Sequence, residues 1–172
     1  MDWIDYLREI PDFPMPGVLF RDMIPIMMVP EAWRGLLDEL EAAARPLSPD
    51  VFMAPEARGF LLAAPLADRM GAGVVPVRKA GKLPDPVFQE KYTLEYGENQ
   101  LEVEVTDRLK GRRVVIVDDV LATGGTVAAC ARLAGLLGAE VAGFLFLLEL
   151  ASLDGRCRLE SYSVPVLSLK RV

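Results

Sequence analysis

Apolar and polar positions change rhythm several times along the chain. Residues 2–9 read as a short amphipathic helix. Pro11, Pro14 and Pro16 then forbid regular structure, because proline fixes φ and removes a donor, and residues 18–22 read as a short extended piece. Trp33, Leu36, Leu37 and Leu40 fall on one face of a helix over 30–45, bracketed by Pro30 and Pro46. A strand over 51–54, a helix over 60–70 stopped by Gly71 and Gly73, and a strand over 74–77 follow. Residues 114–117 are apolar without alternation, the mark of a strand buried on both faces. A helix over 126–137 has Gly138 just past its end, and strands over 140–148 and 164–167 complete the pattern. Strand alternating with helix predicts a parallel sheet with crossover helices.

One stretch departs from that alternation. Residues 92–95 and 101–105 alternate apolar and polar around Gly97, Glu98 and Asn99, which predicts a hairpin. Residues 82–92 carry Pro84 and Pro86 and little periodicity, and read as a mobile lid. No repeat or linker breaks the chain, so residues 1–172 are expected to form a single domain, with 1–30 as an N-terminal segment and 78–105 as flexible lid and hairpin.

Composition narrows the classes. The 172 residues are 52% hydrophobic and 26% charged, a globular balance rather than a disordered one. A net charge of −6 and a pI near 4.8 speak against nucleic acid as a partner, though a local basic cluster still permits small anionic ligands. Two cysteines, Cys130 and Cys157, do not make a disulfide framework. The first residues lack a signal-peptide pattern and no apolar run approaches a membrane span, so a cytoplasmic protein is expected. There is no histidine. Proton transfer therefore falls to a carboxylate, lysine, tyrosine or cysteine, and the usual zinc ligation is not expected.

The richest segment is Val114-Val115-Ile116-Val117-Asp118-Asp119-Val120-Leu121-Ala122-Thr123-Gly124-Gly125-Thr126. A buried strand delivers two acids at its carboxyl end, where open α/β sheets bind ligands. Gly124 and Gly125 let backbone N–H groups approach an anion, and the following helix start adds partial positive charge and unpaired donors. Thr123 and Thr126 add hydroxyls. Acids beside a phosphate site need a separate task, and vicinal ribose hydroxyls provide one. The arrangement suits a ribose 5-phosphate. The plainer alternative is Asp119 as a helix cap and Gly-Gly as a simple turn. The segment is neither a P-loop nor a GxGxxG turn.

Two basic segments follow other strands. Arg58 lies in Glu56-Ala57-Arg58-Gly59-Phe60, and Arg78, Lys79 and Lys82 lie in Arg78-Lys79-Ala80-Gly81-Lys82-Leu83-Pro84. Three strand ends thus converge, placing cations opposite the acid pair. Preorganised cations stabilise a polyanionic leaving group. A solvated loop is the alternative for RKAGK, and a surface ion pair for Arg58. Cys130 reads as core, and Met23, Met27 and Met28 as packing.

At these residues the chain resembles the type I phosphoribosyltransferases, whose signature pairs two acids with an ATGGT turn. The resemblance implies ribose hydroxyls on Asp118 and Asp119 and the 5′-phosphate on Ala122, Thr123, Gly124, Gly125 and Thr126. It implies pyrophosphate on Glu56, Ala57, Arg58, Arg78, Lys79, Lys82 and Tyr96, with a cis Glu56–Ala57 peptide bond. RKxGKLP, YxLEYG and PDFPxPGxxFRD are similar to elements of the adenine branch. They imply Glu95 as the proton-handling group, beside Arg58 and Lys79 as catalytic cations, and Leu19, Phe20 and Arg21 at the base. Ala122 stands where transferases of 6-oxopurines carry an aspartate. Asp85 and Pro86 depart from the turn expected of the lid. The implied fold is α/β, a parallel sheet flanked by helices with a small N-terminal hood and a β-hairpin lid. Mg²⁺ is implied as cofactor, held mainly through substrate near Asp118 and Asp119, and a homodimer in which one basic loop residue reaches the neighbouring site.

The activity expected is transfer of phosphoribosyl from phosphoribosyl pyrophosphate to adenine, releasing AMP and pyrophosphate. A transferase for another base is opposed by Ala122 and the N-terminal motif. A non-catalytic sensor of phosphoribosyl pyrophosphate is opposed by the intact cations and Glu95.

Overall fold

The computed structural model describes residues 2–94 and 97–172. Two compact units can be separated, Met1–Glu39 and Leu40–Val172, the division falling inside one helix.

In the first unit, residues 2–9 do not form the predicted helix. Trp3–Tyr6 is a 3₁₀ turn, capped by the Asp2 carboxylate accepting from the Ile4 amide at 3.2 Å. The chain then extends as β1 (Arg8–Pro11), which pairs antiparallel with β2 (Leu19–Asp22). The partner strand is distant in sequence, so local periodicity could not reveal this pairing. Asp22, 7% exposed, is bonded by Arg8 and accepts from the Ile24 amide at 2.9 Å. Between the strands the Asp12 carboxylate accepts from the Gly17 amide at 2.8 Å, and the Phe13 and Phe20 rings meet edge to face at 5.2 Å. A short helix that the pattern did not predict, α1 (Ile24–Met28), precedes the expected α2 (Pro30–Ala44). Met23 is buried, but Met28 is 75% exposed and does not pack as expected.

The second unit holds a seven-stranded mixed sheet. Its strands are β3 (Val51–Pro55), β4 (Gly73–Lys79), β5 (Val87–Leu94), β6 (Gly97–Glu104), β7 (Arg113–Leu121), β8 (Glu140–Glu149) and β9 (Val166–Arg171). Their order is β5-β6-β4-β3-β7-β8-β9. The β4-β3-β7-β8-β9 portion is parallel, and β5 and β6 add antiparallel. The helices are α3 (Arg58–Met70), α4 (Gly125–Leu136) and α5 (Gly155–Leu159). Val51 and Met53 join the α4 core cluster, while Ala54 faces the start of α3, so the two helices cover opposite faces. Val114, Val115, Ile116 and Val117 are all fully buried. Each contributes roughly 1.5–3 kcal/mol of burial, which is why this strand sits centrally.

Four details of this unit differ from the sequence reading. From Val87 onward the expected lid is strand. Gly97, Glu98 and Asn99 lie inside β6 rather than in the turn, since Leu94 already pairs with Gly97. The last strand runs two to four residues later than expected, as Val166–Arg171, and α5 was not expected.

The side of β4 turned away from β3 is only partly covered. β4 pairs with β3 over residues 73–77 but with β6 only at Arg78 and Lys79, among the described residues. The Val77 carbonyl accepts from the Glu56 amide at 2.8 Å, on the β3 side. Pro76, one residue earlier, therefore faces outward. A cavity of about 710 Å³ lies beside this stretch, lined by Val51, Val74, Val103, Leu109 and Arg112 among others.

Candidate active site

The chemistry gathers at the carboxyl end of the parallel strands, the opposite end from that large cavity. A smaller cavity of about 120 Å³ is formed there by Asp118 and residues 120–127. Size alone would have pointed to the wrong end of the sheet.

The turn after β7 is built from backbone. Gly124 has φ +81°, a conformation that L side chains rarely adopt, and it caps α4. Its carbonyl accepts from the Ala128 amide at 3.0 Å. Gly124 and Gly125 are buried, Ala122 and Thr126 are half-buried, and Thr123 is exposed. The amides at the start of α4 have no partner within the helix, so the turn presents donors and the positive end of a helix to an anion.

The acids precede this turn. Asp119 is 5% exposed and is bonded by the Arg58 guanidinium through Nε. Asp118 is half-buried and accepts from the Asp119 amide at 2.9 Å. Burial, and then the neighbouring Asp119 charge, push the Asp118 carboxyl well above the usual range; the Asp119 amide and Arg58 oppose this. Two adjacent carboxylates, one already steadied by an arginine, suit a pair of vicinal hydroxyl donors.

The loop after β3 carries the cations inward. The Glu56–Ala57 peptide bond is cis, as the resemblance implies. The Glu56 carboxylate accepts from Arg78 Nε at 3.2 Å and from the Lys79 amide at 3.1 Å. The Lys79 amide chiefly, then Arg78, hold its carboxyl below the ordinary value. Glu56 thus ties the loop after β3 to the end of β4, its side chain serving the protein's own cations. Arg58 is half-exposed, and Lys79 and Lys82 are exposed. The geometry therefore joins Arg58 to the acid pair and Arg78 and Lys79 to Glu56, while Lys82 stands in the turn beyond β4.

Glu95 and Tyr96 lie outside the described residues. Leu19 is exposed on β2, with Phe20 and Arg21 half-buried, and Arg21 Nε stands 3.3 Å from Glu9 across the two-stranded pair.

Sequence reasoning missed two contributors. A Cβ on Gly59 would lie 3.0 Å from the Val117 carbonyl and 3.2 Å from Asp118 Oδ1. Only a glycine lets the loop after β3 come this close to the acids, and its place directly after Arg58 was the available signal. The β5 backbone also approaches the glycine turn, for a Cβ on Gly125 would be 3.7 Å from the Thr93 carbonyl. Nothing local in the sequence marks that approach.

Comparison with known proteins accords with this geometry. The family model of the phosphoribosyl transferase domain matches residues 31–168. An adenine phosphoribosyltransferase of Desulfitobacterium hafniense is 50% identical over 164 residues, covering 95% of each chain. The crystal structure of an adenine phosphoribosyltransferase from Thermoanaerobacter pseudethanolicus is 46% identical and superposes with a TM-score of 0.92, covering 98% of this chain and 97% of that one. That of the Saccharomyces cerevisiae enzyme, complexed with D-2,5-dideoxy-2,5-imino-altritol 1,6-bisphosphate and adenine, is 39% identical with a TM-score of 0.89, covering 97% and 96%. The chain belongs to the phosphoribosyltransferase family, in its adenine phosphoribosyltransferase group.

Proposed function

We propose that the protein transfers the 5-phosphoribosyl group from phosphoribosyl pyrophosphate to adenine, giving AMP and pyrophosphate. The observation that carries the reading is the contact of Arg58 with Asp119 beside the glycine turn, which brings a cation, an acid pair and a glycine turn to one strand end. The yeast relative crystallised with adenine and a sugar bisphosphate supports the same pairing of ligands.

In this reading the turn from Ala122 to Thr126 holds the 5′-phosphate through backbone donors, and Asp118 and Asp119 accept from the ribose hydroxyls. The C1′–O bond breaks as a C1′–N bond to the base forms, through an oxocarbenium-like state. Arg58, Lys79, Arg78 and Lys82 meet the charge that develops on the departing pyrophosphate, with the Ala57 and Glu56 backbone and Tyr96 completing that side. Glu95 receives the proton that the base nitrogen loses, and Leu19, Phe20 and Arg21 recognise the base.

Among the described residues no group of three or more acidic or cysteine side chains is placed to hold a metal ion. Two carboxylates beside a polyphosphate substrate fit Mg²⁺, which keeps most of its water and binds through one or two carboxylates plus phosphate oxygens. It would be held mainly through the substrate, with Asp118 and Asp119 nearby, and when bound it neutralises charge on the leaving group. Among the described residues no helix is long and apolar enough to cross a membrane. The reading places it in the cytoplasm, in keeping with two unpaired cysteines, as one functional domain that works as a homodimer with a basic loop residue serving the neighbouring site.

A turnover assay with phosphoribosyl pyrophosphate, Mg²⁺ and each of adenine, hypoxanthine, guanine and xanthine tests this. Adenine alone should be consumed at a substantial rate. Preference for a 6-oxopurine would overturn the base assignment. Glu95→Gln should lower kcat far more than it raises the KM for adenine; unchanged turnover would remove Glu95 from its role.

A further inference from the structure

The phosphate turn rests on a segment more than thirty residues further along the chain. The Leu150 amide donates to the Leu121 carbonyl at 2.9 Å, joining the ends of β7 and β8. Gly155, buried at the start of α5, then lies directly under the turn. A Cβ on Gly155 would be 2.2 Å from the Ala122 carbonyl oxygen and 3.0 Å from the Gly124 amide nitrogen. In return, a Cβ on Gly124 would be 2.7 Å from the Gly155 carbonyl oxygen. These are contacts of backbone with backbone, so no flexible side chain can swing aside.

The next residue fixes this floor. Arg156 donates to Glu149 through Nε at 3.0 Å and Nη2 at 2.5 Å, and to the Val166 carbonyl through Nη1 at 2.5 Å. Glu149 is 2% exposed and also accepts from Ser168 Oγ at 2.8 Å. A two-pronged arginine–carboxylate bond is geometrically demanding. It ties the backbone at residue 156 to β8 and β9, and so fixes where Gly155 meets the turn.

We infer that Gly155, held by the Glu149–Arg156 pair, is a positioning residue for recognition of the ribose 5-phosphate. It touches no substrate. It sets the height of the Ala122–Gly124 backbone, whose amides must point at the phosphate. This rests on the function proposed above. The 5′-phosphate is present in phosphoribosyl pyrophosphate, in AMP and in the state between them, so a displaced turn weakens all three alike. Uniform weakening raises KM and leaves kcat.

The test is steady-state kinetics of Gly155→Ala in both directions, with Gly135→Ala as a matched control, because a Cβ on Gly135 would meet nothing within 4 Å. KM for phosphoribosyl pyrophosphate and KM for AMP should rise together by about ten- to a hundredfold, the size of losing a well-aimed bond to an anion. KM for pyrophosphate, which carries no ribose phosphate, should stay within about threefold of wild type, as should kcat. A merely structural glycine would shrink the active fraction and leave every KM in place, and that result overturns the inference. Should Gly155→Ala not fold, Arg156→Lys keeps the charge and loses the fork. It should give the same selective rise on a smaller scale, and unchanged KM values there also overturn the inference. Wild-type protein inactive on adenine would instead sink the proposed function and leave the contact of Gly155 with the turn unexplained.

Discussion

The two anion-handling sides proposed for the site are built on different principles. The phosphate turn is backbone: buried glycines, a helix start and a second segment pressed against it from below. The proposed pyrophosphate side is mainly side chain: exposed lysines and half-exposed Arg58, steadied by Asp119, with Glu56 holding Arg78. In the proposed function, a group retained throughout the reaction would be served by a rigid cradle, and a group that must leave by long side chains that can follow it.

The largest effect that would sharpen this contrast is at Arg58. Arg58→Ala should lower kcat by about 10²–10³-fold, the usual loss when a preorganised stabiliser of developing charge is removed. Steady-state rates at saturating substrates measure it. A loss under tenfold would mean that Arg58 only braces Asp119.

Next comes the brace behind the cradle. Arg156 chiefly, then Ser168, hold the Glu149 carboxyl below its ordinary value of 4.5. A depressed acid contributes stability that is present above its unfolded value and is lost as pH falls through the folded one. Glu149→Gln should therefore cost about 1.5–3 kcal/mol at pH 7, and the gap from wild type should narrow below pH 4.5. Denaturant midpoints at several pH values read this out. A gap that widens in acid would refute the sign.

Gly59→Ala comes third, at about 1–3 kcal/mol of stability, because its Cβ would press on the Val117 carbonyl and Asp118. It should also lower kcat/KM, since it separates the cation loop from the acids. Smallest is Lys82→Ala, which stands on an exposed turn. It should raise KM for pyrophosphate about fivefold at low salt, leave KM for AMP alone, and lose much of its effect at high ionic strength.

The same division governs what could be read in the sequence. The strand from Val114, its two acids and the Gly-Gly turn were legible, because an uninterrupted apolar run, adjacent charges and paired glycines are all local signals. The parallel core was legible through the alternation of periods. The pairing of Arg8–Pro11 with Leu19–Asp22 was not, because it is a tertiary choice that overrode a weak helical rhythm. The extension of β6 back to Gly97 was hidden by turn-forming residues used inside a strand. Gly155 was hidden for the reason it matters: its partners lie about thirty residues away, and the tightest contacts are with their backbone.

The uncovered stretch of β4 has its own consequence. A bare strand margin invites a second chain to add on and propagate. Pro76 occupies an outward position there and has no N–H to offer, so an added strand would meet a gap in its ladder. Pro76→Val restores that donor without altering the catalytic end of the sheet. Its cost would appear during concentration or slow refolding, as intermolecular β-structure and lost solubility.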